Sequence, residues 1–145
     1  MKCLRSMAFI IFHVSFYNCR MKMENNSKTM GDQIEDRLLD FAVRVIRLSK
    51  ALPQDNVGSH IAKQVMRSGT SPAPNYAEAR GAESRADFKH KLGIVVKELN
   101  ETKIWLRMIE KADLIQADRL NGITREASEL AKIIQASLTT LRSNK

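Results

Sequence analysis

A chain of 145 residues carrying a formal net charge of +8 is sized for one domain, which at this length buries about 68–70% of its unfolded surface. With only six glycines and three prolines, and few runs of β-branched or aromatic residues, the composition favours an all-helical protein over a sheet. Both cysteines, Cys3 and Cys19, precede the body, which excludes a disulfide framework or a thiolate metal site there and suits a reducing cytoplasm.

The charge is unevenly placed. Residues 1–30 hold five Lys/Arg and one acid, contributing +4, and residues 31–145 hold 19 against 15, another +4. A basic excess points to an acidic partner such as nucleic acid or anionic lipid, but the body by itself is only mildly basic. Two regions follow: a non-conforming extension and linker over 1–30, and a helical body over 31–145.

In the extension, Lys2 and Arg5 precede the apolar run Met7–Tyr17, which His13 and Ser15 interrupt. That order resembles the charged and apolar parts of a secretory signal. The run is too short to span a bilayer, and no small-x-small cleavage site follows. The alternative is an over-extended translation start, with the protein beginning at Met21, Met23 or Met30. It is favoured because nothing downstream looks secreted. The polar stretch ENNSKT, residues 24–29, is expected to be disordered.

A first helix is expected from about Asp32 to Leu52. Its stripe is Ile34, Leu38, Phe41, Val45, Leu48 and Leu52, broadened by Leu39 and Ala42. Asp32, with Glu35 three residues on, reads as a capping box, and Pro53 ends the helix. The short linker PQDNVG returns the chain antiparallel. A second helix is expected from near Ser59, where Ile61, Val65, Ser68 and Gly69 share a face whose small residues admit a close neighbour. Pro72 and Pro74 then remove two amide donors, so this helix should kink or break before YAEARGAE resumes the pattern.

The third helix, capped by Ser84 with Asp87, carries Phe88, Leu92, Val95, Leu99, Thr102, Leu106 and Ile109. They follow steps of 4 and 3, the repeat that keeps one seam facing a partner helix. Trp105 and Met108 are read as widening that seam. From Ser84 to Lys111 such a helix is roughly 40 Å long and needs partners of like length. After a turn at Ala112–Ala117, a fourth helix begins near Asp118. It repeats the spacing through Leu120, Ile123, Ala127, Leu130, Ile134, Ser137 and Leu141, and its C-terminal end carries Arg142 and Lys145, where the helix dipole favours cations. Short loops between helices of this length make an antiparallel up-down-up-down four-helix bundle.

Four stretches of the body, RSGTS at 67–71, NYAEA at 75–79, ESRADF at 83–88 and KLGIVVKELNETKIWLRM at 91–108, together resemble the 23S rRNA intervening-sequence proteins. The resemblance covers about Ile34 to Arg142. It implies a small cytoplasmic bacterial bundle, several relatives assembling as homopentamers with a central channel. Many members are encoded within insertions in large-subunit ribosomal RNA genes. A related branch, the accessory protein of diversity-generating retroelements, is a basic pentamer that works with a reverse transcriptase and RNA. No catalytic residues are established for the family, so none carry over. The chain departs from relatives in its first 22 residues and in having two prolines where they usually have one or none before the Asn.

A four-helix bundle invites a di-iron site, which needs two Glu-x-x-His pairs and two further Glu. Only Asp87–His90 approaches that pattern, and the other histidines are His13 and His60. Glu98 and Glu101, like Asn75 and Glu78, stand three apart. Lys97, Lys103 and Arg67 can neutralise them and no nucleophile accompanies them, so a structural or inter-subunit role is expected rather than acid–base catalysis. Gly-rich phosphate loops and nucleophile elbows are missing from the sequence. The chain is read as a non-enzyme without metal or cofactor.

Basic residues carry the functional signal. Lys103, Arg107 and Lys111 form an i, i+4, i+8 row; Arg85 and Lys89 lie near Arg80; and Arg37, Arg44, Arg47 and Lys50 cluster on the first helix. Like charges at i+4 disfavour a helix, so an acidic partner or inter-subunit acids would explain them. The plainer alternative is a solvated face, since Asp40, Asp87, Glu101 and Glu110 are interspersed. Trp105 is read as core or as an oligomer anchor. The expected function is a homo-oligomeric scaffold, a pentamer by the resemblance, with weak, backbone-directed RNA or DNA affinity. The alternative is a purely structural oligomer that binds a protein partner.

Overall fold

The periodic apolar stripes become helices. The computed structural model describes residues 28–143, and the reading of the first 22 residues as a leader or false start lies outside them. Helix α1 spans Met30–Ala51, α2 Asn56–Thr70, α3 Pro72–Arg80, α4 Arg85–Lys111 and α5 Ala117–Ser143, with no strand among the described residues. Helices α2 and α3 are the two halves of one broken arm, so the architecture is an antiparallel four-helix bundle. Helix α4 forms its common wall, packing against α5 on one side and against α2 and α3 on the other.

The expected stripes meet in one core. Ile34, Leu38, Phe41, Val45 and Leu52 from α1 and its exit are buried with Val65, Leu92, Val95, Leu99, Leu106, Ile109, Leu120, Ile123, Leu130 and Ile134. Each fully buried aliphatic or aromatic side chain contributes about 1.5–3 kcal/mol of transfer free energy. Two flanking assignments are corrected. Leu39 is 51% and Met108 45% exposed, so neither broadens a stripe; both point outward.

The caps also differ from expectation. Thr29 rather than Asp32 starts α1. The Thr29 amide donates to Asp32 Oδ2 (2.8 Å) and the Asp32 amide donates to Thr29 Oγ1 (3.2 Å), a reciprocal capping box shifted by one turn. Thr29 therefore belongs to the helix start rather than to a disordered linker. Asp55, not Ser59, caps α2 by accepting from the Gly58 amide at 2.7 Å. Gly58 is required there, because a Cβ would stand 2.1 Å from the Pro53 carbonyl oxygen. Ser84 caps α4 as expected, accepting from the Asp87 amide at 3.1 Å.

The proline pair interrupts the second arm only at Ser71. That residue keeps helical angles (φ −64°, ψ −34°) while serving as the end of α2 and the start of α3. The Asn75 side-chain amide donates to the Ser71 carbonyl at 2.9 Å, filling an acceptor next to the donors the prolines lack. Just before the break, α2 lies close to α1: a Cβ on Gly69 would stand 2.6 Å from Val45 Cγ1.

Beside Gly69 runs a buried polar layer. The Thr102 hydroxyl donates to Ser68 Oγ (3.0 Å), and Ser68 passes its own proton to the Gln64 carbonyl (3.1 Å). Thr102→Val alone is expected to cost about 1 kcal/mol by stranding a buried acceptor, while Thr102→Val with Ser68→Ala returns close to wild type. Urea unfolding of the two single variants and the double variant checks the cycle.

Helix α4 ends in a Schellman motif. The Leu114 amide donates to the Ile109 carbonyl and the Asp113 amide to the Glu110 carbonyl, both at 3.1 Å. Asp113 takes φ 51°, a left-handed conformation that suits glycine and here also sets a negative charge at a helix C-terminus. Asp113→Gly is expected to add about 0.5–1 kcal/mol of stability, read as a higher Tm.

Candidate nucleic-acid interface

Interhelical ion pairs sort the basic residues into two groups. Arg80 at the end of α3 pairs with Glu35 of α1. Arg67 of α2 pairs with Glu101 of α4, and Lys91 of α4 with Glu78 of α3. Arg37 of α1 bridges to α5 through Glu126 at 3.0 Å and Glu129 at 3.2 Å. The hydrogen bond and charge of Glu126 hold the Arg37 guanidinium above its ordinary pKa, and Glu78 does the same for Lys91. Exposed pairs of this kind are worth only about 0–1 kcal/mol each. Their larger consequence is that five acids, the half-exposed Glu78 and Glu129 among them, are already paired with cations across helix seams.

The six basic residues expected to meet nucleic acid are therefore not one face. Arg80 is engaged as above. Arg85 Nη2 donates to the Leu141 carbonyl at 2.9 Å, a cation on the last turn of α5 where the dipole favours it. Lys89 stands on the rim of a cleft of about 570 Å³ between α4 and α5, with Lys97 and Arg142 beside it and Gly93, Ile94 and Leu138 beneath. Lys103 is half-buried and donates to Asn100 Oδ1 at 3.2 Å. Arg107 and Lys111 remain exposed toward the far end of α4. Lys89 and Arg107 are 18 residues apart on one helix, so about 27 Å separates them.

The residues expected to be structural fall inside the bundle or at its seams. Asn75 braces the break at Ser71. Glu78 and Glu101 are the acids of two interhelical pairs, and Glu101 also accepts from Trp105 Nε1 at 3.3 Å. Trp105 is half-buried against the core and meets the His60 ring edge-on, with centroids 6.3 Å apart. Glu98 is buried, and its Oε2 has no hydrogen-bond partner among the described residues. An unmatched acceptor there costs about 1–3 kcal/mol. His90 lines the Lys89 cleft beside the helix turn begun by Asp87. No group of three or more His, Cys, Asp or Glu stands together as a metal site among the described residues.

A second basic cleft appears that spacing within single helices does not reveal. Arg44 and Arg47 of α1 meet Arg119 of α5 around a space of about 210 Å³ floored by Leu48, Ala51 and Ile123. None of these three arginines forms an ion pair with a described residue. The i, i+3 spacing of Arg44 and Arg47 is visible in the sequence, but the arrival of Arg119 depends on how α1 and α5 are set against each other. The two clefts lie toward opposite ends of α5.

An all-α antiparallel bundle with a broken second arm and surplus cations beside its last helix defines the class. The chain belongs to the 23S rRNA-intervening sequence protein family, whose family model matches residues 32–136. Among solved structures it is similar to a protein of unknown function from the S23 ribosomal protein family of Bacteroides thetaiotaomicron. The two are 35% identical, with a TM-score of 0.71, over 77% of this chain and 99% of that one. No curated protein matches the chain. No helix among the described residues is long and apolar enough to cross a membrane.

Proposed function

We propose that this protein is a non-catalytic cytoplasmic scaffold that assembles as a homo-oligomer, a pentamer, and holds RNA or DNA weakly through the phosphate backbone. The observation that carries the reading is the division of charge. Acids are spent between helices, while Arg44, Arg47 and Arg119 in one cleft and Lys89, Lys97 and Arg142 in the other have no acidic partner among the described residues. Phosphate contacts made by such side chains supply affinity without sequence preference, and no Phe, Tyr or Trp lines either cleft as a platform for bases. Membership in a family named for 23S rRNA intervening sequences supports a nucleic-acid partner.

Self-association rests on a different set of residues. Leu39 and Val43 on α1 and Ile104 and Met108 on α4 are exposed apolar pairs, each spaced to share a helix face. Interhelical pairs place α1 between α5 and the α2–α3 arm, as α4 also is, so the two patches sit at opposite corners of the bundle. Unlike patches that meet head to tail close into a ring when the rotation allows, and five copies would add their weak basic clefts.

The test joins light scattering to binding of a 20-nucleotide RNA at two salt concentrations. The expected mass is that of five chains. If about five phosphates are engaged on a single strand, affinity falls about 100-fold between 50 and 200 mM salt. Circular dichroism over the same range serves as control, since pairs worth so little leave the fold unchanged. A monomer that retains no RNA at either salt overturns the proposal. A ring that retains none, and co-purifies with one specific protein, replaces it with the purely structural alternative.

A further inference from the structure

Most of the basic surface is spread along helix faces, whereas one part is gathered from two helices onto a small concave space. We propose that the cleft of Arg44, Arg47 and Arg119 between α1 and α5 is a binding site for a phosphate group, supplied either by a nucleic-acid backbone or by a free polyphosphate. The backbone source rests on the function proposed above; the site itself does not.

Three features support it. Guanidinium groups are planar five-donor forks that match phosphate oxygens better than ammonium groups do, and here three of them converge with no acid paired to them among the described residues. Asp40, one turn before Arg44, and Glu126, which Arg37 holds, share an adjoining hollow with Arg44 and Arg47, but neither acid forms an ion pair with those two arginines. The cleft, at about 210 Å³, is smaller than the roughly 300–1,000 Å³ of pockets that take organic ligands, which favours a compact anion over a nucleobase or cofactor.

The third feature is Gly122. Glycine is the poorest helix former after proline, yet it stands within α5, where Arg44 Nη2 lies 3.1 Å from the place its Cβ would occupy. A Cβ at 122 would make that guanidinium give by a few tenths of an ångström, and a longer side chain such as leucine would take up its place. The missing side chain thus lets an arginine of α1 reach over α5, a function that surface charge alone would not require.

Inorganic pyrophosphate and the 20-nucleotide RNA are titrated separately, in 50 mM salt, into the full chain and into three variants. The first is Arg47→Ala/Arg119→Ala. The second is Gly122→Leu, which keeps every charge and improves helix propensity. The third, Arg125→Ala/Lys132→Ala, removes two exposed charges that line neither cleft. For a free polyphosphate, pyrophosphate binding weakens tenfold or more in the first two variants and holds in the third. For a backbone phosphate, the RNA responds in that way while pyrophosphate is silent. The log–log salt slope for RNA then falls by about 1.4 in the double arginine variant. Equal weakening in Arg47→Ala/Arg119→Ala and Arg125→Ala/Lys132→Ala, or wild-type binding of both probes by Arg47→Ala/Arg119→Ala, overturns the site and leaves general basic attraction standing. Pyrophosphate binding with the expected variant pattern but no RNA binding keeps the site and removes the nucleic-acid function.

Discussion

Phe41→Ala is expected to lower the unfolding free energy by about 3–5 kcal/mol. Phe41 is completely buried in α1, so truncation removes its transfer free energy and leaves a cavity whose cost depends on how far the walls can close. Its neighbours along the helix, Leu38 and Val45, are also completely buried, and side chains packed at interior density close over a new space only in part. Against a total stability of about 5–15 kcal/mol for a domain, this loss moves the variant near the unfolding threshold. Phe41→Leu, which keeps more of the volume, is expected to lose only about 1 kcal/mol. Urea denaturation checks both, and similar losses in the two variants would show that the site collapses freely.

Gly69→Ala is expected to cost about 2 kcal/mol. Two effects oppose each other. Alanine is a better helix former than glycine by about 1 kcal/mol, while a methyl placed 2.6 and 2.7 Å from the two γ carbons of Val45 overpacks a junction, at about 1–3 kcal/mol or more. The clash prevails because Val45 is completely buried and a β-branched side chain in a helix has one strongly favoured rotamer. It cannot swing aside, so the backbones of α1 and α2 must separate. Adding Val45→Ala vacates the space the new methyl needs, and the double variant is expected to be more stable than the two single losses summed. Strict additivity in a double-mutant cycle would mean that the helices do not meet there as closely as described.

The helices were legible because their stripes run for many turns, and Phe88 through Ile109 left no other pairing of seam and length. Individual boundaries were harder for a physical reason. Thr29 with Asp32, and Asp32 with Glu35, are both well-formed capping pairs; only the Thr29 geometry shows which one the chain uses. Asp55 and Ser59 compete in the same way, and Gly58, which tolerates the turn around Pro53, decides between them. Outward apolar residues such as Leu39 and Met108 were misread, since a position beside the stripe can lie on either side of the boundary between core and surface. Of the candidate interface, Lys89 was legible from α4 alone, whereas Lys97, read as a neutralising partner for Glu98 and Glu101, and Arg142, read as a helix-end cation, join it only in the fold. The Arg44–Arg47–Arg119 cleft was not legible, because it depends on the register between two helices far apart in sequence. The engagement of Arg80 with Glu35 was hidden for the same reason.

The break at Ser71 also divides the bundle in time. Neither Pro72 nor Pro74 carries an amide proton, and the Ser71 and Asn75 amides that flank and span the interruption reach their acceptors at 3.3 Å, at the long end of useful geometry. Transient opening that begins at one end of the second arm therefore meets a weak point instead of a continuous ladder. Helix α2, held to α4 through Arg67 and Ser68, and helix α3, held through Glu78 and Arg80, become separate units of local unfolding. Their amide protons would exchange with solvent on two distinct clocks.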